Sequence, residues 1–203
     1  EIKNNLIALL NARGGIKTST IEKEQSLTHG FAWIATYIES LNQLLTWAEK
    51  LKNENKFNLI ESLILQIGFS EYLAQIKGGI NMSQSEIVRL EQFKLSPEKI
   101  NLLNSEPILT LITFGNTDRA QKKLVDCLIQ NEGLPTYCES SLDLEYENIR
   151  DVFYRFSKEK IVPNAHRWHL RNELIPMQLI KELSELGVFG LTIPEAFGGY
   201  GMT

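Results

Sequence analysis

The side chains best suited to chemistry in this sequence are few and scattered. His166 and His169 stand three apart, a spacing at which two imidazoles on one helical turn can share a metal ion. A metal site needs three or four ligands, and no carboxylate or Cys near the pair completes a set, so the histidines read as surface or inter-helix packing. Cys127 and Cys138 fit neither a disulfide framework nor a zinc spacing, and read as reduced thiols with Cys127 in the core. His29, directly before Gly30, reads as a cap or packing residue. Trp33, Tyr37 and Trp47 read as core aromatics rather than a stacking platform. Asp143, Glu145, Glu147 and Asp151 form a solvated helix start, where the helix dipole favours negative charge. The run Gly198, Gly199 and Gly201 after Pro194 permits positive φ and close backbone approach, the needs of a tight corner between packed elements or of a nearby ligand. No residue is assigned a catalytic, cofactor-binding or metal-binding role.

The elements that would position these residues are helical. Leu27, Phe31, Ile34, Ile38, Leu41, Leu45 and Ala48 fall on one face of a helix over about 28–52. Trp33, Tyr37, Leu44, Trp47 and Leu51 form a second stripe, which predicts burial between neighbours. Asn53-Glu54-Asn55 marks a turn into a second helix over 56–77 that carries Phe57, Ile60, Ile64 and Ile67 and stops at a left-handed glycine cap at Gly78-Gly79. The two read as an antiparallel hairpin. Capping-box spacing in Ser83-Gln84-Ser85-Glu86 predicts a helix start, and Ser96-Pro97-Glu98 predicts another. Pro107–Phe114 is assigned helix, and Thr117-Asp118 opens one that closes at Gly133-Leu134-Pro135. A polar stretch near 131–141 predicts a domain boundary, giving a helical extension over 1–140 and a second domain over 141–203. Ile149, Val152, Phe153 and Phe156 predict a helix over 145–161 ending near Val162-Pro163, with a short helix over 164–170. Pro176 begins a helix over 175–187 with Leu179, Leu183 and Leu186 toward the core and Gly187 as cap. No strand is compelling, and the class is all-α.

Composition narrows the function classes. Lys plus Arg number 21 against 25 Asp plus Glu, a formal charge of -4, which gives no electrostatic footprint for nucleic acid. No apolar run approaches the roughly 18–20 residues that span a bilayer, and the N-terminus lacks the pattern of a signal peptide, so no membrane span and a cytoplasmic location are expected. The chain lacks an initiator Met and stops just after a glycine-rich turn, so a piece of a longer protein is expected.

Asp151 to Met202 resembles the opening of the acyl-CoA dehydrogenase family. The residues that carry the likeness are Phe153, Phe156, Pro163, Trp168, Leu183, Leu186-Gly187, Gly190-Leu191, Pro194-Glu195, Phe197-Gly198-Gly199 and Gly201. The extension adds His29 to Leu41, Leu65 to Ile76 and Gly78 to Gln84. With Trp168-His169-Leu170 and Glu173 to Met177, these are similar to the branch of that family that oxidises methylsuccinyl-CoA to mesaconyl-CoA in the ethylmalonyl-CoA pathway. Gln75-Ile76-Lys77-Gly78-Gly79 is also similar to a C-terminal family motif near the flavin pyrophosphate, which would make the extension a decayed copy of that domain. The plainer reading is a helix end with a glycine cap.

The resemblance implies an FAD-dependent oxidoreductase in which a carboxylate removes the α-proton of an acyl-CoA while a hydride leaves the β-carbon for the flavin. It implies electron-transfer flavoprotein as acceptor and a homo-oligomer. The family draws its base from a C-terminal helical domain and most flavin contacts from a central β domain, so the 203 residues alone are expected to be inactive. The alternatives are another acyl-CoA dehydrogenase or oxidase, or a non-catalytic helical interaction module.

Overall fold

Three helices open the chain: α1 (Ile2–Ala12), α2 (Thr18–Lys23) and the long α3 (Gln25–Asn53). The computed structural model describes residues 1–131 and 138–202. Its contacts divide the chain into Glu1–Ser141 and Leu142–Thr203. Both units are helical, as the apolar periodicity requires, and the all-α class holds.

In the first unit α3 turns at Glu54 and Asn55, the latter at φ 56°, and returns as α4 (Leu59–Gly78). Ile34, Leu41, Ala48 and Leu51 of α3 are buried. Ile38 and Leu45, on the face expected to be covered, remain 46% and 44% exposed, while Trp33, Tyr37, Leu44 and Trp47 are half-buried. The helix is therefore covered along a band that straddles the two stripes. α4 is in turn covered by α6 (Glu106–Phe114) and α7 (Asp118–Gln130), with α5 (Pro97–Leu102) between the hairpin and α6 in sequence. Pro97 sits in the first turn of α5, where its missing N–H costs nothing. Thr117 caps α7 by accepting the Ala120 N–H at 3.3 Å. The expected stop at Gly133-Leu134-Pro135 lies outside the described residues.

The helix expected at Ser83–Glu86 is a correction. Those residues are the turn of a two-stranded antiparallel ribbon, β1 (Ile80–Asn81) and β2 (Ile87–Val88), with Ile80 opposite Val88. The Glu86 carbonyl accepts the Met82 N–H at 2.8 Å and the Ser83 N–H at 3.2 Å, which closes the turn. A capping box contributes about 1 kcal/mol, whereas burying Ile80 and Val88 to 1% and 2% exposure contributes roughly 1.5–3 kcal/mol each. Burial therefore decides the outcome. It is possible because Gly30 lets α3 approach the ribbon: a Cβ there would lie 2.8 Å from Val88 Cβ. The cap at Gly79 differs for the same reason. Its φ is positive at 114°, but its ψ of 135° sends the chain into an extended strand rather than a left-handed cap.

In the second unit α8 (Leu144–Phe156) does not end at Val162-Pro163. One wide π turn, Ser157–Ile161, joins it directly to α9 (Val162–Leu170). Pro163 then lies in the first turn of α9, and the altered register ahead of it absorbs the missing donor that would otherwise break the helix. α10 (Met177–Glu185) follows Pro176 and ends at Gly187, which is left-handed at φ 81°. Leu179 is buried and Leu183 half-buried, but Leu186, expected toward the core, is 39% exposed.

A polar chain fastens α3 to α4 and reaches α7. Tyr37 O–H donates to Gln75 Oε1 at 2.6 Å, Gln75 donates to Glu71 at 2.7 Å, Asn116 donates to Glu71 at 3.0 Å, and Gln121 donates to Asn116 at 2.7 Å. The Tyr37 ring stacks on Tyr72 at 4.5 Å. Burial raises the Tyr37 hydroxyl above its ordinary 10.0, and Tyr72 and Glu71 add to the effect. A raised folded value means that the stabilisation is complete below the unfolded value and is lost as pH climbs through the folded one. Tyr37→Phe is expected to cost about 0.5–1.5 kcal/mol in urea unfolding at pH 7. The gap to the parent should shrink above pH 10; a gap that grows there would contradict this description.

Candidate functional site

The glycine-rich turn that ends the described chain is the candidate, because it holds most of the residues that carry the resemblance. Backbone pairing builds it. The chain leaves α10 through Gly187, forms two short 3-10 turns at Val188–Gly190 and Glu195–Phe197, and doubles back. Tyr200 N–H donates to Gly190 O at 2.9 Å, Gly201 N–H to Ile193 O at 2.8 Å, and Met202 N–H to Leu191 O at 2.8 Å. The tip is held by Phe197 and Gly199 N–H to Pro194 O and by Gly198 N–H to Glu195 O.

Each glycine has a backbone task here. Gly187 and Gly198 take left-handed conformations at φ 81° and 82°. The Tyr200 ring lies over Gly187 and Gly190, where an added Cβ would come to 2.8 and 3.3 Å from ring carbons. Gly199 is the tightest position: a Cβ would run into the Ile193 carbonyl and lie 2.5 Å from Ile193 Cβ. Phe197, at the tip, is 82% exposed. Beside the turn an apolar groove lies between α8 and the returning strand, lined by Ile149, Val152, Phe153, Leu191, Tyr200 and Met202.

An anion such as a flavin pyrophosphate binds where several backbone N–H groups point outward without a partner. In this turn the N–H groups from Phe197 to Met202 already donate to carbonyls of the same turn. The charged side chains that line the turn and its groove are carboxylates, Glu195 beside Gly201 and Glu145 at the groove. The Phe197–Met202 segment therefore offers no cradle of free N–H groups for a flavin phosphate.

None of the other candidate residues is part of this turn. His166 and His169 are exposed on α9, and among the described residues no three His, Cys, Asp or Glu side chains come together as a metal site requires. The Gln75 amide is spent inside the first unit, between Tyr37 and Glu71. His29 accepts the Trp33 indole N–H at 2.9 Å through Nε2 and faces Glu86 through Nδ1 at 3.6 Å. It thus ties α3 to the ribbon turn, a packing role. Cys127 and Cys138 are free and half-buried. Asp143 stands at the N-cap position of α8 without a side-chain capping bond, Glu145 and Glu147 lie in its first turn, and Arg150 pairs with Asp151 at 2.9 Å. Among the described residues no helix is long and apolar enough to cross a membrane. The polar chain from Tyr37 to Gln121 has one local trace in the sequence, the Glu71/Gln75 spacing of four, while its long-range partners have none.

Residues 143–203 match the family described as acyl-CoA dehydrogenase, N-terminal domain. The chain is 47% identical over 190 residues to (2S)-methylsuccinyl-CoA dehydrogenase of Cereibacter sphaeroides, a match that covers 94% of this chain and 34% of that protein. It is 43% identical over 58 residues to benzylmalonyl-CoA dehydrogenase of Aromatoleum aromaticum, covering 29% of this chain and 15% of the relative. Glutaryl-CoA dehydrogenase of Desulfococcus multivorans is 36% identical over 62 residues, 30% of this chain and 16% of that protein. The chain thus spans about a third, or less, of the length of the curated relatives it matches.

The turn geometry orders two substitutions. Gly198 is left-handed with open space around the missing Cβ, so Gly198→Ala should cost about 1–2 kcal/mol. Gly199→Ala meets a paired carbonyl and should cost more, above about 2 kcal/mol in thermal unfolding of the second unit. The reverse order would contradict the paired-backbone description.

Proposed function

We propose that this chain, whose residues 143–203 belong to the acyl-CoA dehydrogenase N-terminal domain family, forms the N-terminal third of an FAD-dependent acyl-CoA dehydrogenase acting on methylsuccinyl-CoA. The observation that carries the reading is the extent of the likeness: 94% of the chain, extension included, aligns with one relative at 47% identity. A match confined to 143–203 would speak for the family and leave the substrate open. Three of the relatives act, by name, on methylsuccinyl-, benzylmalonyl- and glutaryl-CoA, each a thioester that carries a second carboxylate. The coarser reading is oxidation of an acyl-CoA, and the finer one is conversion of methylsuccinyl-CoA to mesaconyl-CoA.

In this reading residues 1–140 are a structural extension and 141–203 begin the family's N-terminal helical domain. The Tyr37–Gln75–Glu71–Asn116 chain joins the extension's own helices to one another, which supports a structural role. The catalytic carboxylate and the flavin contacts belong to the rest of the enzyme. The enzyme is a cytoplasmic homo-oligomer that passes electrons to an electron-transfer flavoprotein.

The test is an assay of the protein encoded by the complete gene, loaded with FAD and supplied with an artificial electron acceptor. It is expected to oxidise methylsuccinyl-CoA and to accumulate mesaconyl-CoA, with butyryl-CoA turned over at least about tenfold less efficiently. Preference for the straight-chain thioester would overturn the substrate. Failure to oxidise any acyl-CoA would overturn the enzyme.

A further inference from the structure

The last four residues of the first unit are held far more firmly than their polar, irregular sequence suggests. Glu61, in the first turn of α4, is 1% exposed. One carboxylate oxygen accepts the Asn58 N–H at 3.0 Å, which caps its own helix. The other accepts the Glu139 N–H at 2.9 Å, seventy-eight residues away in sequence. From α3, Trp47 indole N–H donates to Glu139 O at 3.2 Å, and Lys50 Nζ donates to Ser141 O. Two helices thus supply three donors or acceptors to the backbone of Glu139 and Ser141.

A carboxyl group so deeply buried needs compensation from hydrogen-bond donors. Glu61 receives it from two backbone N–H groups and from the positive end of α4. Removal of Glu139 from the site would leave one carboxylate oxygen without its donor. The arrangement therefore favours a bound segment over a free one through hydrogen bonds to the segment's backbone.

We propose that Cys138–Ser141 is a strap: a segment latched across the ends of α3 and α4 by Glu61, Trp47 and Lys50, which opens as a unit without unfolding either helix. The latch is directional. Trp47 and Lys50 present donors, Glu61 presents an acceptor, and the strap's backbone offers the complement at Glu139 O, Ser141 O and Glu139 N in turn.

Cys138 is a built-in reporter of the strap. Burial raises its thiol, and the Glu61 and Glu139 carboxylates raise it further, so the closed strap keeps it protonated and slow to react. The experiment measures alkylation of Cys138 by iodoacetamide in the full chain carrying Cys127→Ser, which leaves one thiol. Alkylation in the parent is expected to be slow relative to the urea-unfolded chain. Trp47→Phe keeps the ring and removes one donor, and should accelerate alkylation about 3- to 10-fold. Glu61→Gln weakens the acceptor and should accelerate it about tenfold or more. Trp47→Phe does not touch the α4 cap, so it tests the strap even if Glu61→Gln disturbs the helix. Helical circular dichroism should be retained in Trp47→Phe. Rates within twofold of the parent in Trp47→Phe overturn the proposal. Acceleration in Glu61→Gln alone, with loss of helicity, assigns the opening to the helix cap and also overturns it. A parent that reacts as fast as the unfolded chain shows that no strap is closed.

Discussion

The buried carboxylate of Glu61 is the contact on which the architecture of the first unit turns. It sits where α4 begins, and α4 is the helix that α3, α6 and α7 all pack against. Its Oε2 completes the start of that helix, and its Oε1 holds the backbone where the first unit ends. The same helix carries Gln66, Ser70, Glu71 and Gln75, whose side chains reach Gly115, Ile112, Asn116 and Tyr37 respectively. α4 thus makes polar contacts at chosen points, through Gln75 toward α3 and through Gln66, Ser70 and Glu71 toward the α6–α7 segment. Such satisfied polar contacts contribute little net stability but penalise every alternative register, because a wrong pairing leaves a buried group unpartnered.

Close approach is the second constraint. Gly30 admits the ribbon to α3, Gly68 lies where a Cβ would come to 2.9 Å from Leu44, and Gly115 would meet Ser70 at 2.7 Å. The first unit therefore gains density where helices touch at glycine, and it leaves Ile38, Leu45 and Leu102 partly open elsewhere. In the second unit the glycines do a different task. They let residues 200–202 fold back to pair with 190–193, and the N–H groups from Phe197 to Met202 all donate within the turn. A segment that resembles a ligand-binding loop by composition is here a closed backbone device.

Helix existence was legible because helical apolar periodicity survives any tertiary context that buries one face. The spans around α3, α4, α8 and α10 follow it closely. What failed were local signals read without their neighbours. Ser83-x-x-Glu86 and Asn58-x-x-Glu61 have the same capping spacing, yet only the second starts a helix, because Ile80 and Val88 bury better in a ribbon. Pro163 looked like a terminator, and a π turn accommodated it. α1 and α2 carried no expectation at all; Leu6 and Leu10 of α1 are buried, but so short a stripe is weak in sequence. For the candidate site, the glycine spacing and the family likeness were legible, whereas the donor bookkeeping that closes the turn needs coordinates. Glu61 looked like any helical Glu, since nothing local marks a partner as distant as Glu139.

The proposed role of this chain is that of scaffold, with the flavin chemistry left to other residues. The most direct measurement is the visible absorption of the purified 203-residue chain after incubation with excess FAD and removal of free cofactor, on material shown by circular dichroism to be helical and to melt cooperatively. The account predicts a folded, colourless protein. A folded protein with a stoichiometric flavin band near 450 nm, roughly where protein-bound flavins absorb, would place the cofactor site within these residues and contradict it.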